Sequence, residues 1–447
     1  MFATQLPRRD FLATTATAVG ALLCPRLVSA VPVADVKPRP RVAAIFTEFR
    51  FRSHAFNILE SHLAPYLFRG KLVDPGVDVV SMYADQFPAN DMARDVSKRF
   101  GIPLFDSIAA ALCRGRNELD VDAVLLIGEH GDYPDNALGQ KMYPRKRFFD
   151  EAVAVMRCSG RFVPVFNDKH LSYCWPQARE MYDVAKCHGI PFLAGSSLPL
   201  GQRIPAVEIP SGAEIEEAVS VHGGGFEVYD FHGLEVLQAI VESRRGGETG
   251  ISSVEFLRGD DVFRAGANGR FSLGLMDRAM EAELGPLPHE PGSRLAGEKP
   301  AEPHAILLTY RNGFRATVVK LGSSSSRWNF ACRLKGQPHP VAFKHFNGPW
   351  GNRCLFKALS HAIQHTFIHR EAPYPIERTL LTTGALDAAV RSRWCGYPIN
   401  TPHLEFAYQP HDFRSMRENG ESWKIITKDT PQPEDLDIHN DRLLRPK

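Results

Sequence analysis

The feature that most constrains the fold is an alternation of short apolar runs with helical stretches over residues 41 to about 200. The apolar runs, rich in β-branched residues, are 42–46, 77–82, 102–105, 121–127, 163–166 and 191–194, and the helical stretches are 55–67, 91–100, 108–113, 148–158 and 176–188. Repeated strand–helix–strand units of this size pack as one parallel sheet with helices on both faces. The pattern therefore predicts an α/β architecture, a Rossmann-like doubly wound domain over 41–205.

The pattern changes after Pro205. Three glycines, Gly223-Gly224-Gly225, precede a predicted helix over 232–242, and longer apolar runs follow at 253–257, 305–310, 316–321 and 328–334. Arg311-Asn312-Gly313 lies between two of these runs, and Asn-Gly between strands is a strong hairpin signal. Residues 206–447 are therefore predicted to form an α+β substrate and oligomerisation domain with a largely antiparallel sheet.

The first thirty residues read as an export signal. Arg8-Arg9 precedes Phe11-Leu12, a weakly apolar run covers 13–23, and Val28-Ser29-Ala30 supplies small residues for cleavage. This order is typical of a secretory signal, and the paired arginines indicate its twin-arginine class. We expect a signal peptide at 1–30, a linker at 31–40, and a protein in the periplasm or exported by twin-arginine translocation.

Bulk charge and hydropathy exclude two classes of partner. The chain has 53 basic and 51 acidic residues, and the predicted signal removes three arginines and one aspartate, so the remaining chain is formally neutral. A neutral chain gives no reason to expect a nucleic-acid partner. The mean hydropathy is −0.22, and the one long apolar stretch lies in the signal, so we expect no integral membrane segment after signal cleavage.

The turn after the first predicted strand lacks the glycines of a dinucleotide site. Glycines at this turn allow the backbone to approach a pyrophosphate, but no glycine occurs between Gly20 and Gly70. Arg50, Arg52 and His54 could bind an anion through their side chains, or could simply belong to a solvated loop. Asp85, after the second strand, is the candidate for a ribose hydroxyl, although it lies farther along the chain than the usual spacing of about 20 residues.

Polar residues follow two other predicted strands. Glu129, His130 and Asp132 come after the strand that ends at Ile127, and Lys169 follows the strand that ends near residue 166. Ligands of open α/β sheets bind beyond the carboxyl ends of strands, so these side chains are candidates for chemistry. Asp and Gly are also turn formers, and a surface turn is the alternative interpretation.

The order of elements resembles the glucose-fructose oxidoreductase, inositol dehydrogenase and MocA (Gfo/Idh/MocA) family. The segments that carry the resemblance are 93–107, 121–124, 165–169, 231–235 and 374–381. In the third of these, Asp168 and His170 stand where the family has the Glu and Pro of a Glu-Lys-Pro motif. The absent glycines are a further departure from the family pattern.

The resemblance implies an oxidoreductase fold with NAD or NADP as cofactor, acting on a sugar or polyol. It implies that Lys169 is the catalytic lysine and His232 the general acid/base, with Glu235 near His232 on one helix face. The substrate would lie near Glu129, His130, Asp132 and Glu235, and the second-domain sheet would form a homo-oligomer. Because the glycine-rich turn is absent, nicotinamide binding is expected to be atypical or lost.

The sequence offers two candidate metal sites. One is formed by Glu129, His130 and Asp132 with His232, which lack the spacing of a known metal motif. His361, His365 and His369 recur every four residues and would share one helix face, but a polar helix face explains them as well, and no metal is predicted. The functional hypothesis is an exported oxidoreductase-like protein acting on a sugar or polyol. The alternative is a non-catalytic carbohydrate-binding or assembly protein on the same fold.

Overall fold

The computed structural model describes residues 38–286 and 302–438. The predicted signal peptide, 1–30, and most of the predicted linker lie outside these residues. The strands are β1 Arg41–Phe46, β2 Tyr66–Phe68, β3 Lys71–Val73, β4 Asp78–Ala84, β5 Leu104–Phe105, β6 Ala123–Ile127, β7 Val165–Asp168, β8 Phe192–Gly195, β9 Gln202–Ile204, β10 Ile215–His222, β11 Ile251–Arg258, β12 His304–Tyr310, β13 Arg315–Lys320, β14 Trp328–Leu334, β15 Val341–Phe346 and β16 Ile399–Asn400. The helices are α1 His54–Leu63, α2 Ala93–Phe100, α3 Ile108–Cys113, α4 Arg145–Cys158, α5 Trp175–Cys187, α6 Val228–Val241, α7 Asp260–Ala267, α8 Leu273–Leu284, α9 Asn352–His369 and α10 Ile376–Cys395.

The first sheet has six strands in the order β5-β4-β1-β6-β7-β8. All five pairings are parallel, and this is the strand order of dinucleotide-binding domains. On β1, Val42, Ala44 and Phe46 join the core on the α1 side, while Ala43 and Ile45 join the core on the α3 and α4 side. Because alternate side chains of a strand point to opposite faces, an unbroken apolar run covers both layers. The predicted doubly wound sheet is confirmed.

The second sheet has eight strands in the order β16-β11-β12-β13-β10-β14-β15-β9. The pair β10 and β13 is parallel, and the other six pairs are antiparallel. The predicted hairpin joins β12 to β13, with Gly313 at φ +82° donating its N–H to the Tyr310 carbonyl at 2.9 Å. The largely antiparallel sheet is confirmed, although the sequence pattern did not identify its central strand β10.

Two predicted helix boundaries in the first half are wrong. The helix predicted over 55–67 ends at Leu63, and the chain then forms the short hairpin β2–β3, because Pro65 cannot continue a helix. The helix predicted from Asp91 begins at Ala93, and its N-cap is Met92, without a side-chain cap.

The helix predicted over 232–242 begins four residues earlier, at Val228. Glu227 caps its first turn: the Glu227 side chain accepts the Asp230 N–H, while Asp230 accepts the Glu227 N–H at 2.8 Å. Such a reciprocal capping box satisfies two N–H groups at the helix start. His232 consequently lies in the second turn of α6 and does not open the helix.

The last two long helices join the two halves of the chain. α9 packs on α1, and α10 contacts α5 and β8 of the first half as well as α6 and β11 of the second. Two buried ion pairs fasten them: the Arg353 Nε donates to Glu60 Oε2 at 3.0 Å, and the Arg378 Nε donates to Glu242 Oε2 at 2.9 Å. Residues from Arg39 onward cluster as one unit, and the domain division at residue 205 stays a prediction.

None of the helices in the described ranges is long and apolar enough to cross a membrane.

Breaking the buried pair of α6 and α10 should destabilise the fold. Glu242→Gln leaves the Arg378 guanidinium buried without its counter-ion, which is expected to lower the free energy of unfolding by about 3–5 kcal/mol. Urea denaturation measures the change. The control is Asp183→Asn, which breaks the half-exposed pair of Arg179 and Asp183 and should cost roughly 1 kcal/mol or less. Equal effects of the two variants would contradict this account.

Candidate functional site

A buried carboxylate lies at the centre of the candidate site. Glu129 follows β6, and its Oε1 accepts a hydrogen bond from the Lys169 Nζ at 2.8 Å, while its Oε2 accepts one from the Arg145 guanidinium. Burial alone would raise the pKa of Glu129, but the charges of Lys169 and Arg145 hold it well below its usual value. The carboxylate is therefore ionised and pairs with both side chains.

The backbone brings Lys169 to this carboxylate through an uncommon conformation. Lys169 comes directly after β7 with φ +61°, and its N–H donates to the Gly195 carbonyl at 3.2 Å. A left-handed conformation is unfavourable for a side chain other than glycine, and it persists where the surroundings hold it. Here the bond to Gly195 and the ion pair with Glu129 hold it.

A second buried contact joins the start of α1 to the end of β7. The His54 Nδ1 lies 2.6 Å from Asp168 Oδ2, and the His54 N–H donates to the His130 Nδ1 at 3.4 Å. The His54 ring meets the rings of His130 and Phe356 edge-on, with centroids 5.0 Å and 4.7 Å away. Burial and the neighbouring His54 lower the pKa of His130 to about 3, so that imidazole is neutral.

His232 faces this cluster from the second turn of α6. Burial, followed by the charges of Lys169 and His54, lowers the pKa of His232 well below its usual value. Its Nδ1 is buried and has no hydrogen-bond partner among the described residues. Its ring lies edge-on to Trp328 and Tyr229, with centroids 5.3 Å and 6.1 Å away. The structure thus brings His232 into the electrostatic surroundings of Lys169.

Glu235 contacts the first sheet instead of His232. Its Oε2 accepts the Ser196 N–H at 2.5 Å, and burial raises its pKa to about 7. A Cβ on Gly195 would lie 2.7 Å from Glu235 Oε1, so only glycine permits this approach. Glu235 therefore positions α6 against the end of β8, the strand next to the one that carries Lys169.

The three residues predicted to bind a cofactor already have protein partners. The Arg50 Nε donates to Glu48 Oε1 at 2.5 Å, and the exposed Arg52 pairs with the Gln432 side chain. Asp85 does follow β4, the neighbour of β1, as a ribose-binding acid would. However, its carboxylate accepts hydrogen bonds from Tyr83 Oη at 2.7 Å, Tyr133 Oη at 2.6 Å and the Arg147 guanidinium at 2.5 Å.

The turn between β1 and α1 does not fit a pyrophosphate held on backbone N–H groups. Such anions bind the free N–H groups at a helix start. Here the Ser53 N–H donates to the Arg50 carbonyl at 2.9 Å, the His54 N–H to His130, and the Phe56 N–H to the Ser53 hydroxyl at 3.2 Å. Residues that sequence reasoning placed in a loop thus cap the helix themselves.

Asp132 lies at the edge of the site. It is exposed, and its N–H and carbonyl form a pair of hydrogen bonds with the Gln86 side chain at 2.8 Å and 2.9 Å. Its backbone, not its carboxylate, makes these contacts. Of the predicted substrate-binding residues, Glu129 and His130 belong to the buried cluster, Glu235 packs behind it, and Asp132 faces solvent.

Sequence reasoning missed several members of the site. Arg145 opens α4 and its guanidinium also lies 3.1 Å from the His170 Nε2. Glu227 sits at φ +68° before α6, and burial raises its pKa to about 7. The sequence indicated His54 only as a possible anion-binding side chain, and not as a partner of Asp168. No local pattern marks these residues, because their roles depend on partners far along the chain.

A cavity of about 210 Å³ opens beside Tyr229, one helical turn before His232. The lining residues are Arg52, Asn57, Tyr229, Ser325, Ser326, Asn347, Trp350, Gly351, Asn352 and Arg353. Asn57 lies one turn after His54 on α1. The side-chain oxygens of Asn57 and Asn347 are buried and lack hydrogen-bond partners among the described residues. The cavity thus combines amide groups, hydroxyls and aromatic rings.

The three histidines of α9 do not belong to this site. His361 packs against β2, with its Nδ1 2.8 Å from Tyr66 Oη and its ring stacked on Phe68 at 4.1 Å. The rings of His365 and His369 lie 4.5 Å apart on the same helix.

Comparisons with known proteins show what the fold resembles. No family model and no curated protein sequence matches the chain. Among solved structures, scyllo-inositol dehydrogenase from Lactobacillus casei, with bound NAD(H) and scyllo-inositol, superposes with a TM-score of 0.50 at 12% identity, over 81% of this chain and 99% of that one. A probable dehydrogenase from Thermotoga maritima superposes with a TM-score of 0.50 at 10% identity, over 81% of this chain and 99% of that one. GenD2 from gentamicin A biosynthesis, in complex with NAD, superposes with a TM-score of 0.50 at 12% identity, over 82% of this chain and 97% of that one.

At these identities the likeness concerns the fold. The parallel six-stranded sheet and the largely antiparallel second sheet have the two-domain architecture of these dehydrogenases. The chain therefore shares the fold of these structures.

Proposed function

We propose that the protein binds a sugar or polyol between α1 and α6 and that His232 and Lys169 act on one of its hydroxyl groups. The observation that carries this proposal is the placement of His232, with an unpartnered ring nitrogen, within the electrostatic reach of Lys169 and next to Tyr229 of the cavity. A histidine and a lysine at one site are a recognised pair for moving a proton from a hydroxyl.

The division of roles follows from what each side chain has available. The Lys169 ammonium has three N–H donors, and its hydrogen bond to Glu129 uses one of them. Another can hold the oxygen of a hydroxyl while a His232 ring nitrogen accepts the hydroxyl proton. Such positioned acid–base catalysis contributes roughly 10²–10⁴-fold to a rate.

The cavity chemistry supports a polyhydroxylated ligand. The amide oxygens of Asn57 and Asn347 accept hydrogen bonds, and buried acceptors without a partner favour a ligand that supplies donors. Tyr229 and Trp350 add aromatic surface, which suits the apolar face of a sugar ring. The scyllo-inositol of the Lactobacillus casei structure is a ligand of this chemical class.

We propose further that nicotinamide binding is weak or atypical. The fold is shared with structures that contain NAD, but the N–H groups at the start of α1 are already bonded, and Phe49 is buried in the core at the turn. We therefore assign no hydride-transfer step to this site.

A specific contact favours the alternative of a non-catalytic carbohydrate-binding protein. Lys169 and Glu129 form a buried ion pair at 2.8 Å, and a lysine held this way can serve as structural support alone. Binding without turnover in the native protein would favour this alternative. The homo-oligomer implied by the family resemblance stays a prediction.

The catalytic pair can be tested with two variants. Lys169→Met and His232→Asn should each lower turnover of a sugar or polyol by roughly 10²–10⁴-fold, as measured by product formation on a panel of sugars and polyols. Circular dichroism checks the fold. The matched control is Lys186→Met, which removes a lysine that pairs with Glu377 on α10 and should leave turnover unchanged. Full activity in either site variant would refute the assignment.

Calorimetric titration with NAD and NADP tests the cofactor proposal. We expect weak binding or none, because the turn offers side chains where a pyrophosphate needs N–H groups. If Arg50 binds the pyrophosphate, the Arg50→Gln substitution should weaken the residual binding further. The Arg52→Gln substitution, at an exposed residue, should not. Tight binding in the ordinary pyrophosphate pose would contradict the proposal.

We also propose export by the twin-arginine route, from Arg8-Arg9 before Phe11-Leu12. Changing both arginines to lysine should leave the precursor in the cytoplasm, as fractionation and immunoblotting would detect. Normal export of this variant would rule the route out.

A further inference from the structure

A second polar cluster lies within the C-terminal half, apart from Glu129 and Lys169. His222 is the last residue of β10, Asp230 is in the first turn of α6, and His304 is the first residue of β12. Asp230 Oδ1 lies 3.1 Å from His222 Nε2 and 2.7 Å from His304 Nε2, and all three atoms lie within 4.8 Å of one another. All three residues are buried.

The sheet register and one glycine produce this convergence. His304 on β12 and His222 on β10 both pair with Lys320 of the intervening strand β13, so the two histidines lie in one row across the sheet. On α6, a Cβ at Gly233 would lie 2.6 Å from Val318 Cγ1 and 3.1 Å from His222 Cδ2. The glycine lets α6 lie close to the sheet, and Asp230, one turn earlier, reaches between the two histidines.

We propose that His222 Nε2, Asp230 Oδ1 and His304 Nε2 bind one divalent transition-metal ion, with Zn²⁺ as the reference ion. Two imidazoles and one carboxylate are a ligand set that zinc takes in proteins, and three protein ligands leave one position for a water or a substrate atom. No thiol belongs to this set. This inference is independent of the proposed sugar or polyol chemistry.

The fourth coordination position can be reached from a cavity. His304 lines a cavity of about 270 Å³, together with Phe226, Phe256, Arg258, Lys320 and Arg393. Lys320 directs its ammonium to the Glu302 carbonyl at 3.1 Å. One carboxylate leaves a divalent ion with an excess positive charge. The cavity lining adds three basic residues and one acidic residue, Glu302, so the fourth ligand is expected to be an anion or a metal-bound hydroxide.

A simpler interpretation competes with the metal site. Two neutral imidazoles can donate their Nε2–H groups to Asp230, and the cluster is then an internal hydrogen-bond network. The His222 Nδ1, which is buried and without a hydrogen-bond partner among the described residues, is an unsatisfied acceptor in that network and an unsatisfied N–H donor in the metal site, so it does not distinguish the two arrangements. The two interpretations differ in whether the protein takes up one metal ion, which a binding measurement decides.

A bound ion would have a mechanical consequence. Asp230 belongs to the capping box that starts α6, the helix that carries His232 and Glu235. A metal ion held by Asp230 and the two histidines would fasten the start of α6 to β10 and β12. Thermal unfolding of the chain should therefore shift upward when the ion binds, because a ligand that binds only the folded state stabilises it.

The test uses the full chain purified without a histidine tag and stripped by a chelator. Titration with Zn²⁺, followed by calorimetry and by metal analysis after dialysis, should give one zinc per chain and a raised Tm. Asp230→Asn and His304→Gln should each weaken the binding by roughly 100-fold or more, with the fold checked by circular dichroism. Absence of stoichiometric zinc in the wild-type chain would overturn the proposal.

A matched control addresses the other histidine pair. His365 and His369 lie one turn apart on α9 with ring centroids 4.5 Å apart, and they could hold zinc adventitiously. His365→Gln should leave the binding unchanged. Loss of zinc from the His365→Gln variant together with its retention by the His304→Gln variant would refute the assignment to His222, Asp230 and His304.

X-ray absorption at the zinc edge keeps the proposal testable if the Asp230→Asn and His304→Gln variants do not fold. The wild-type spectrum should fit two imidazole nitrogens with oxygen ligands only. A sulfur ligand would place the ion at one of the seven cysteines of the described chain and would overturn the assignment.

Discussion

The organisation of the candidate site depends on one buried carboxylate, Glu129, and the two cations that it holds. Burying any of these charges alone would cost several kcal/mol, whereas here the carboxylate accepts hydrogen bonds from both cations. The contacts require the end of β6, the start of α4 and the end of β7 to meet at one point. The left-handed backbone of Lys169 and its bond to Gly195 follow from the same requirement.

Helix α6 connects the first sheet to the second through its buried carboxylates. Glu235 binds the backbone after β8, Asp230 lies between two histidines of the second sheet, and Glu242 pairs with Arg378 of α10. Three buried carboxylates along one helix each contact a different part of the chain. The position of His232 therefore depends on the helix as a whole, and not on a local turn.

The fold and the chemistry of this chain need separate arguments. Its two sheets have the architecture of dehydrogenases that bind NAD, but function resides in the site and not in the fold. At the edge where that architecture holds a dinucleotide, His54 contacts both Asp168 and His130, and Ser53 caps the helix. The same sheet edge thus differs from the usual one in the backbone contacts that it offers to a pyrophosphate.

The sequence alone determined the layer architecture and part of the site. Apolar runs of strand length that alternate with helices can bury both faces only in a doubly wound sheet, and the carboxyl ends of parallel strands meet at one edge. These rules predict that Glu129 and Lys169 lie at one edge of the sheet. The sequence also indicates that the turn after β1 is unusual, because it contains no glycine.

Only the tertiary structure decided which of these side chains contact one another. The pairing of His54 with Asp168 joins residues 114 positions apart, and the pairing of Arg353 with Glu60 joins residues 293 apart. No local period encodes such contacts. The exposure of Asp132 and the role of Glu235 against Gly195 likewise depend on how helices and loops pack. Hydrophobic periodicity specifies the faces of elements, whereas the partners of buried charges are specified only when those faces are brought together.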